Sequence, residues 1–277
     1  MAHHPATADG PVGAALTRRS EPGALGTFFG RVWVLRALSI LAVLLLWEWA
    51  GRLPVSPAFP TFVDTMAALG RLIADGSLIS AYGETLQPMI IGLLICSALA
   101  VSFGIGMGLS RSVEWFSLPV FVILQAAPMA AIIPLVTFIY GIGLAAKVLA
   151  VVIMSAPIIV LNSYKGIRNV HPSLLEMSAS FQASRVQQIV KIILPSASGI
   201  IFAGLRLGFA QGLTGAILAE LLITPTGLGD LITYYRSIAG YPEMFAVIFS
   251  IIVFASVSIT FFQKLETVLF RPEQRAV

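Results

Sequence analysis

The sequence predicts an all-α membrane protein of about six transmembrane helices, and three observations carry that prediction. Of its 277 residues, 57% are apolar and only 11% charged, against about a quarter charged in ordinary soluble domains. Several apolar stretches reach the roughly 20 residues that a helix needs to cross the hydrocarbon layer, and they are spread along the whole chain. The lysines and arginines fall unevenly between the connecting segments, as membrane topology requires.

The elements follow in order. Residues 1–30 are rich in Ala, Gly, Pro and Thr and carry Arg18, Arg19 and Glu21; they bury too little apolar surface to fold alone and predict a flexible tail. The first apolar core begins near Val32 and is too long for a cleaved secretory signal. Spans are predicted at approximately 32–50, 86–109, 117–140, 144–163, 199–223 and 243–263, with helix length chosen over strands throughout. Residues 31–265 then form the transmembrane domain and 266–277 a second tail. The third span holds Pro119, Pro128 and Pro134, and a membrane helix tolerates such breaks only where protein or a cavity satisfies the freed carbonyls, so this span is expected inside the bundle. Between spans one and two, Pro60–Asp75 reads as a short amphipathic helix with Phe62, Met66, Leu69 and Ile73 on one face, lying on the membrane or packed as a loop helix.

Twelve of the 17 basic residues, among them Arg18, Arg19, Arg111, Lys165, Arg168, Arg185, Lys191 and Lys264, fall on the side that holds both termini. Arg52, Arg71, Lys147 and Arg236 fall on the other, and Arg206 lies within span five. The positive-inside rule therefore makes both termini, and the long polar loop at 164–198, cytoplasmic. The composition also excludes several classes. Cys96 is the only cysteine, so no disulfide framework or CxxC metal site exists. The net charge of +4 comes from scattered residues, not a basic stripe with interleaved aromatics, which excludes a nucleic-acid partner. His3, His4 and His171 lie outside the spans and form no HExxH motif, so a metal-dependent membrane enzyme is disfavoured and no metal ligands are assigned.

The loop between spans four and five is too long for a tight turn and is helical in pattern. Pro172 suits the first turn of one helix, Leu174, Leu175 and Phe181 supply apolar contacts, and Pro195 is expected to stop a second helix before span five. This segment resembles the EAA loop of the permeases of binding-protein-dependent ABC importers. Glu176, Ile192, Leu194 and Pro195 match that pattern, while Met177 and Ser178 replace two alanines and Gln182 replaces the turn glycine. Gln182 implies either a continuous helix or a strained turn. The stretches PMAAIIPLVTFIYGIG, NSYKGIRNVHPSLLE, GLRLG through AELL, and TGLGDLI resemble the subgroup that imports nitrate, taurine and aliphatic sulfonates.

The resemblance implies that the loop is a coupling helix seated on a cytoplasmic ATPase, with Glu176, Met177, Ser178, Phe181, Gln182, Ala183, Leu194 and Pro195 as the coupling residues. It further implies a bacterial inner-membrane location, a second permease copy read as a homodimer, two ATPase subunits, a soluble or lipid-anchored substrate-binding protein and surrounding membrane lipid. The cargo would be a small, anionic solute. The chain has no GxxxxGK[ST] phosphate loop; it would hold no cofactor and catalyse nothing, ATP and Mg being bound by the partner ATPase. The competing hypothesis is a secondary transporter or channel without an ATPase. It is weakened by the presence of one clear intramembrane acid and by the lack of an inverted sequence repeat.

Span five carries Gly204, Gly208 and Gly212 at four-residue spacing, a stripe that admits another helix closely. Arg206 and Glu220 share a side of the same helix but lie about 21 Å apart along its axis, so each needs its own partner or water. Both are candidates for lining a pathway or locking a dimer, against simple snorkelling to the interface. Gln125, Thr137, Tyr140, Gln211 and Thr214 are further polar candidates, each able to line a pathway or to bond a neighbouring helix.

Overall fold

The computed structural model describes residues 32–53, 58–223 and 225–270, the side chains at 32, 33, 129 and 130 excepted. The predicted tail at 1–30 and residues 271–277 lie outside the described residues. Every regular element among the described residues is helical. Val32–Arg52 (α1, 21 residues) forms a unit of its own; at 1.5 Å per residue it is about 32 Å long, enough to cross the hydrocarbon core.

The second unit holds α2 (Phe62–Ala74), α3 (Ser77–Leu109), α4 (Arg111–Ala126), α5 (Met129–Tyr140), α6 (Leu144–Arg168) and α7 (Pro172–Ser180). It continues with α8 (Arg185–Gln188), a π turn at Ile189–Ile193, α9 (Leu194–Leu222), α10 (Gly227–Ser237) and α11 (Tyr241–Phe270). Among the described residues, five helices are long and apolar enough to span a membrane, or six spans if α4 and α5 are counted together as one.

The third span departs from the expectation of one buried helix. Its two halves meet at 108°. Ala127 is extended (φ −67°, ψ 146°), as the residue before a proline prefers, and Pro128 has no N–H with which to continue the ladder. Pro119 and Pro134 remain inside their helices. Within the single chain this elbow is largely exposed, with Phe116 at 81% and Phe138 at 87%, and Ile133 and Val136 are buried anchors.

The core is α6, the most buried span, held between α3 and α9. Its neighbours approach through glycines. A Cβ at Gly104 of α3 would lie 2.6 Å from that of Ser163, and one at Gly204 of α9 would lie 2.6 Å from that of Asn162. At Gly208 it would overlap Ile159. Ser155 Oγ of α6 donates to the Gly208 carbonyl at 2.9 Å, a cross-helix bond that the missing side chain makes room for. The predicted stripe of Gly204, Gly208 and Gly212 is thus a packing face.

At one end of this core, α2, α10, α11 and the start of α3 share a cluster of Ala68, Leu72, Leu78, Leu228, Ala246 and Val247. Helix α2 buries Thr65, Ala68 and Leu72, a stripe rotated from the predicted one because its small side chains allow closer approach, and Ile73 is left exposed. Thr61 caps α2, and Arg71 pairs with Glu243 of α11 at 2.6 Å. Between α2 and α3 the Asp75 carboxylate accepts the Ser77 hydroxyl (2.6 Å) and N–H (2.9 Å), bonds that hold its pKa below the usual value. At the opposite end Ile167, Val170, Ile193 and Ala197 seat the α7 loop. Helix α11 continues to Phe270, so residues 266–270, expected in the second tail, belong to the bundle.

Candidate functional site

The loop is built around one buried hydroxyl. His171 caps α7 by accepting the Ser173 N–H, with Pro172 in the first turn. Leu174 and Leu175 then face the cluster beneath, which leaves Glu176, Met177 (46% exposed) and Phe181 (80% exposed) on the outer surface. Helix α7 ends in a Schellman turn: the Gln182 N–H donates to Ala179 O at 2.9 Å and the Ala183 N–H to Ser178 O at 3.0 Å. Gln182 accordingly sits at φ +53°, a left-handed conformation that costs an L-residue roughly 1–2 kcal/mol and that glycine adopts freely. Of the two alternatives for this position, the chain takes the strained turn.

Ser184 opens the next helix through a capping box with Gln187. One turn on, Gln188 Nε2 donates to Ser178 Oγ at 2.8 Å, and Ser178 Oγ donates to Leu175 O at 2.7 Å. Ser178 is 2% exposed, so it pins the two halves of the loop together and has no outward surface. Ala183 and Leu194 are half-buried and Pro195 is exposed. Pro195 does not stop the helix as its chemistry predicts: helical structure runs unbroken from Arg185 to Leu222. The reason is the π turn just before it, where the Leu194 N–H reaches back to Ile189 O; such a wide turn accommodates a ring that has no N–H to give.

Glu220 is not on an open pathway. Its side chain is fully buried and lies 3.0 Å from Lys147 Nζ of α6, itself 7% exposed. Glu220 Oε2 also accepts from Thr85 Oγ1 of α3 (2.9 Å) and from the Gly229 N–H of α10 (3.1 Å). Lys147 donates a second bond to Thr226 Oγ1 at 2.5 Å. Gly227, at φ +77°, and Gly229 abut Glu220 so closely that a Cβ on either would overlap it. Lys147 and Thr85 were not among the candidates from sequence. The signal for Lys147 was its place in the first turn of an apolar span, where an intramembrane acid needs a cation.

Arg206 also has a partner, Glu266 of α11, at 3.1 Å, and both side chains are partly exposed (22% and 14%). Near the same end, Glu114 of α4 pairs with Arg168 and accepts from Tyr164 Oη at 2.6 Å, fastening the start of α4 to the end of α6. The remaining polar candidates divide. Gln125 and Gln211 line one open pocket of about 260 Å³ between the elbow, α6 and α9, together with Ala127, Pro128, Met154 and Pro157. Thr137 and Tyr140 lie elsewhere on α5, and Thr214 returns its hydroxyl to Ala210 O at 3.1 Å. The pocket lining carries two amides and no charge.

Residues 100–271 match the family of binding-protein-dependent transport system inner membrane components. A permease of Bacillus subtilis (strain 168) assigned to aliphatic sulfonates transport, SsuC, is 27% identical over 86% of this chain and 87% of its own. The taurine transport system permease protein TauC of Escherichia coli (strain K12) is 27% identical over 71% and 74%, respectively. The riboflavin transport system permease protein RibX of Chloroflexus aurantiacus is 28% identical over 78% and 82%. Among solved structures, the MetNI methionine ABC transporter in an inward-facing conformation shares the fold, with a TM-score of 0.60 at 18% identity over 70% of this chain and 96% of that one. With more than half of the chain matched and the helical bundle in agreement, the protein belongs to the binding-protein-dependent inner membrane component family and is a multi-pass permease of an ABC importer.

Proposed function

We propose that two identical copies of this permease form a route through the bacterial inner membrane for a small anionic solute of the sulfonate class. Both termini and the α7 loop face the cytoplasm in this arrangement. A soluble or lipid-anchored binding protein delivers solute from outside. Two cytoplasmic ATPase subunits, which bind ATP and Mg, seat on Glu176, Met177 and Phe181. The solute passes the pocket of Gln125 and Gln211, whose uncharged amides suit brief contact more than tight retention.

One observation carries the coupling half of this proposal: the exposed α7 surface is tied through Ser178 and Gln188 to a helix that continues without a break into span α9. A push on α7 therefore reaches the pocket wall at Gln211 through stiff helix. The solute class is supported by the sulfonate and taurine assignments of two relatives. Burial of Glu220 in an ion pair supports the same proposal from the other direction, since a carboxylate so held is poorly placed to relay ions for a secondary transporter. The test is uptake of radiolabelled taurine and an alkanesulfonate into proteoliposomes holding this chain, the ATPase and the binding protein. Uptake that needs enclosed ATP and all three proteins is expected; uptake by this chain alone would move the assignment to a secondary transporter.

A further inference from the structure

Transport requires that some walls of a pathway move and others hold, and the start of α10 is joined to the core in a way that bears on which do which. A helix N-terminus is ordinarily capped by its own N-cap side chain. Thr226 makes no such bond, because its hydroxyl is engaged by Lys147. Three successive N–H groups of α10 are satisfied from other helices instead: Gly227 donates to Glu84 (3.0 Å), Leu228 to Thr85 (2.9 Å) and Gly229 to Glu220 (3.1 Å). Lys147 closes the ring by bridging Glu220 and Thr226. Four elements, α3, α6, α9 and α10, thus meet on one buried ion pair. Because the ion pair is sealed from solvent, opening the joint would strand charges and amide donors together.

The elbow of α4 and α5 is tied to α6 by polar groups at its start, where Glu114 meets Arg168 and Tyr164, and among the described residues from there to Tyr140 no side-chain hydrogen bond joins it to another helix. It bends at Ala127–Pro128, between its two helices, and leaves α5 through Gly141 and Gly143, at φ +73° and +149°. The pocket of Gln125 and Gln211 lies between this elbow and the body formed by α6 and α9.

We infer that Lys147 and Glu220 are positioning residues that make α10 one rigid body with α3, α6 and α9 throughout the transport cycle, so that the α4–α5 elbow is the wall that moves. The functional half of this statement rests on the permease assignment; the structural half does not. Hydrogen exchange on the purified chain in lipid nanodiscs tests the structural half directly. The amides of Gly227–Ile232 should exchange as slowly as those of central α6. In Lys147→Met and in Glu220→Gln, which keeps the shape but removes the charge, their exchange should rise by about tenfold or more while α6 is unchanged. Arg206→Met, which breaks an ion pair at the other end, should leave α10 as in wild type. Thr226→Val, which removes only one hydroxyl, keeps the test open if the charge variants fail to fold.

In the assembled transporter, adding a non-hydrolysable ATP analogue should change exchange over residues 123–143 and not over 226–237, and Glu220→Gln should lower solute moved per ATP hydrolysed while hydrolysis persists. Unchanged α10 exchange in all three joint variants, or nucleotide-dependent exchange of α10 in the wild type, overturns the inference. Because the first measurement needs no ATPase, failure of the joint and failure of the permease assignment give different results.

Discussion

At the α10 end of the core, Lys147 and Glu220 are sealed at 7% and 0% exposure, and the backbone around them is held by neighbouring side chains. At the α7 end, Phe181 stands 80% exposed and the loop is pinned mainly by the single hydroxyl of Ser178, while the Arg206–Glu266 pair remains partly open to its surroundings. Both ends carry charge and both connect to α9. The contrast lies in exposure: at one end the Lys147–Glu220 pair is sealed, and at the other the Arg206–Glu266 pair stays partly open while Glu176, Met177 and Phe181 face outward. An end whose polar groups are sealed against one another is built to hold its shape, and one whose charged and aromatic side chains face outward has the kind of surface that the proposed ATPase contact requires.

The largest expected effect comes from breaking the sealed end. Glu220→Ala leaves Lys147 buried without a counter-charge and the Gly229 N–H without an acceptor, and should cost about 3–5 kcal/mol, read as a fall in the thermal midpoint in detergent. Arg206→Ala, by the same assay, should cost about 1 kcal/mol or less because its pair is partly solvated. Equal losses would erase the contrast.

Glycine packing sharpens it within one helix. Gly104→Ala must displace Ser163 and the Val160 carbonyl, both 2.6 Å from the new methyl, and should cost about 1–3 kcal/mol. Gly106, two residues on, has open space beside it, so Gly106→Ala should be neutral or stabilise by up to about 1 kcal/mol through helix propensity.

Smaller effects belong to the loop. Ser178→Ala should cost about 1 kcal/mol and speed proteolysis between α7 and α8. Gln182→Gly should slow it, relieving the left-handed strain by up to about 1 kcal/mol. The smallest concerns pH. Asp75 has a lowered pKa in the folded chain because its carboxylate is hydrogen-bonded to Ser77. Its contribution to stability is present above the unfolded carboxylate value near about 4 and is lost as pH falls through the lower folded value. Asp75→Asn should flatten the acid limb of the stability curve slightly, as read by melting at pH 3 and pH 6.

Much of this architecture was legible in the residues. Apolar length located the spans, and four-residue glycine spacing located the α9 packing face, because both are local consequences of helix geometry. Glu220 stood out as an intramembrane acid, but its partner did not, since a pairing across 73 positions is set by how α6 meets α9 and not by spacing. Lys147 was counted among the loop cations for the same reason. The elbow was readable as three prolines, yet which one breaks the span depended on the neighbours: Pro119 and Pro134 sit within helices and only Pro128 divides them. Pro195 misled in the opposite sense, because a π turn absorbs it. The motif resemblance places Ser178 among the coupling residues, but it is buried and pins the two halves of the loop together.

The central claim is that the α7 surface is the seat of the ATPase, and co-purification tests it most directly. The chain and its ATPase are expressed together, solubilised in mild detergent and captured through a tag on the chain, comparing wild type with Glu176→Arg, Phe181→Asp and Arg206→Met. Wild type and Arg206→Met should retain the ATPase, while Glu176→Arg and Phe181→Asp, folded by thermal midpoint, should lose most of it. Full retention by both surface variants would contradict the account.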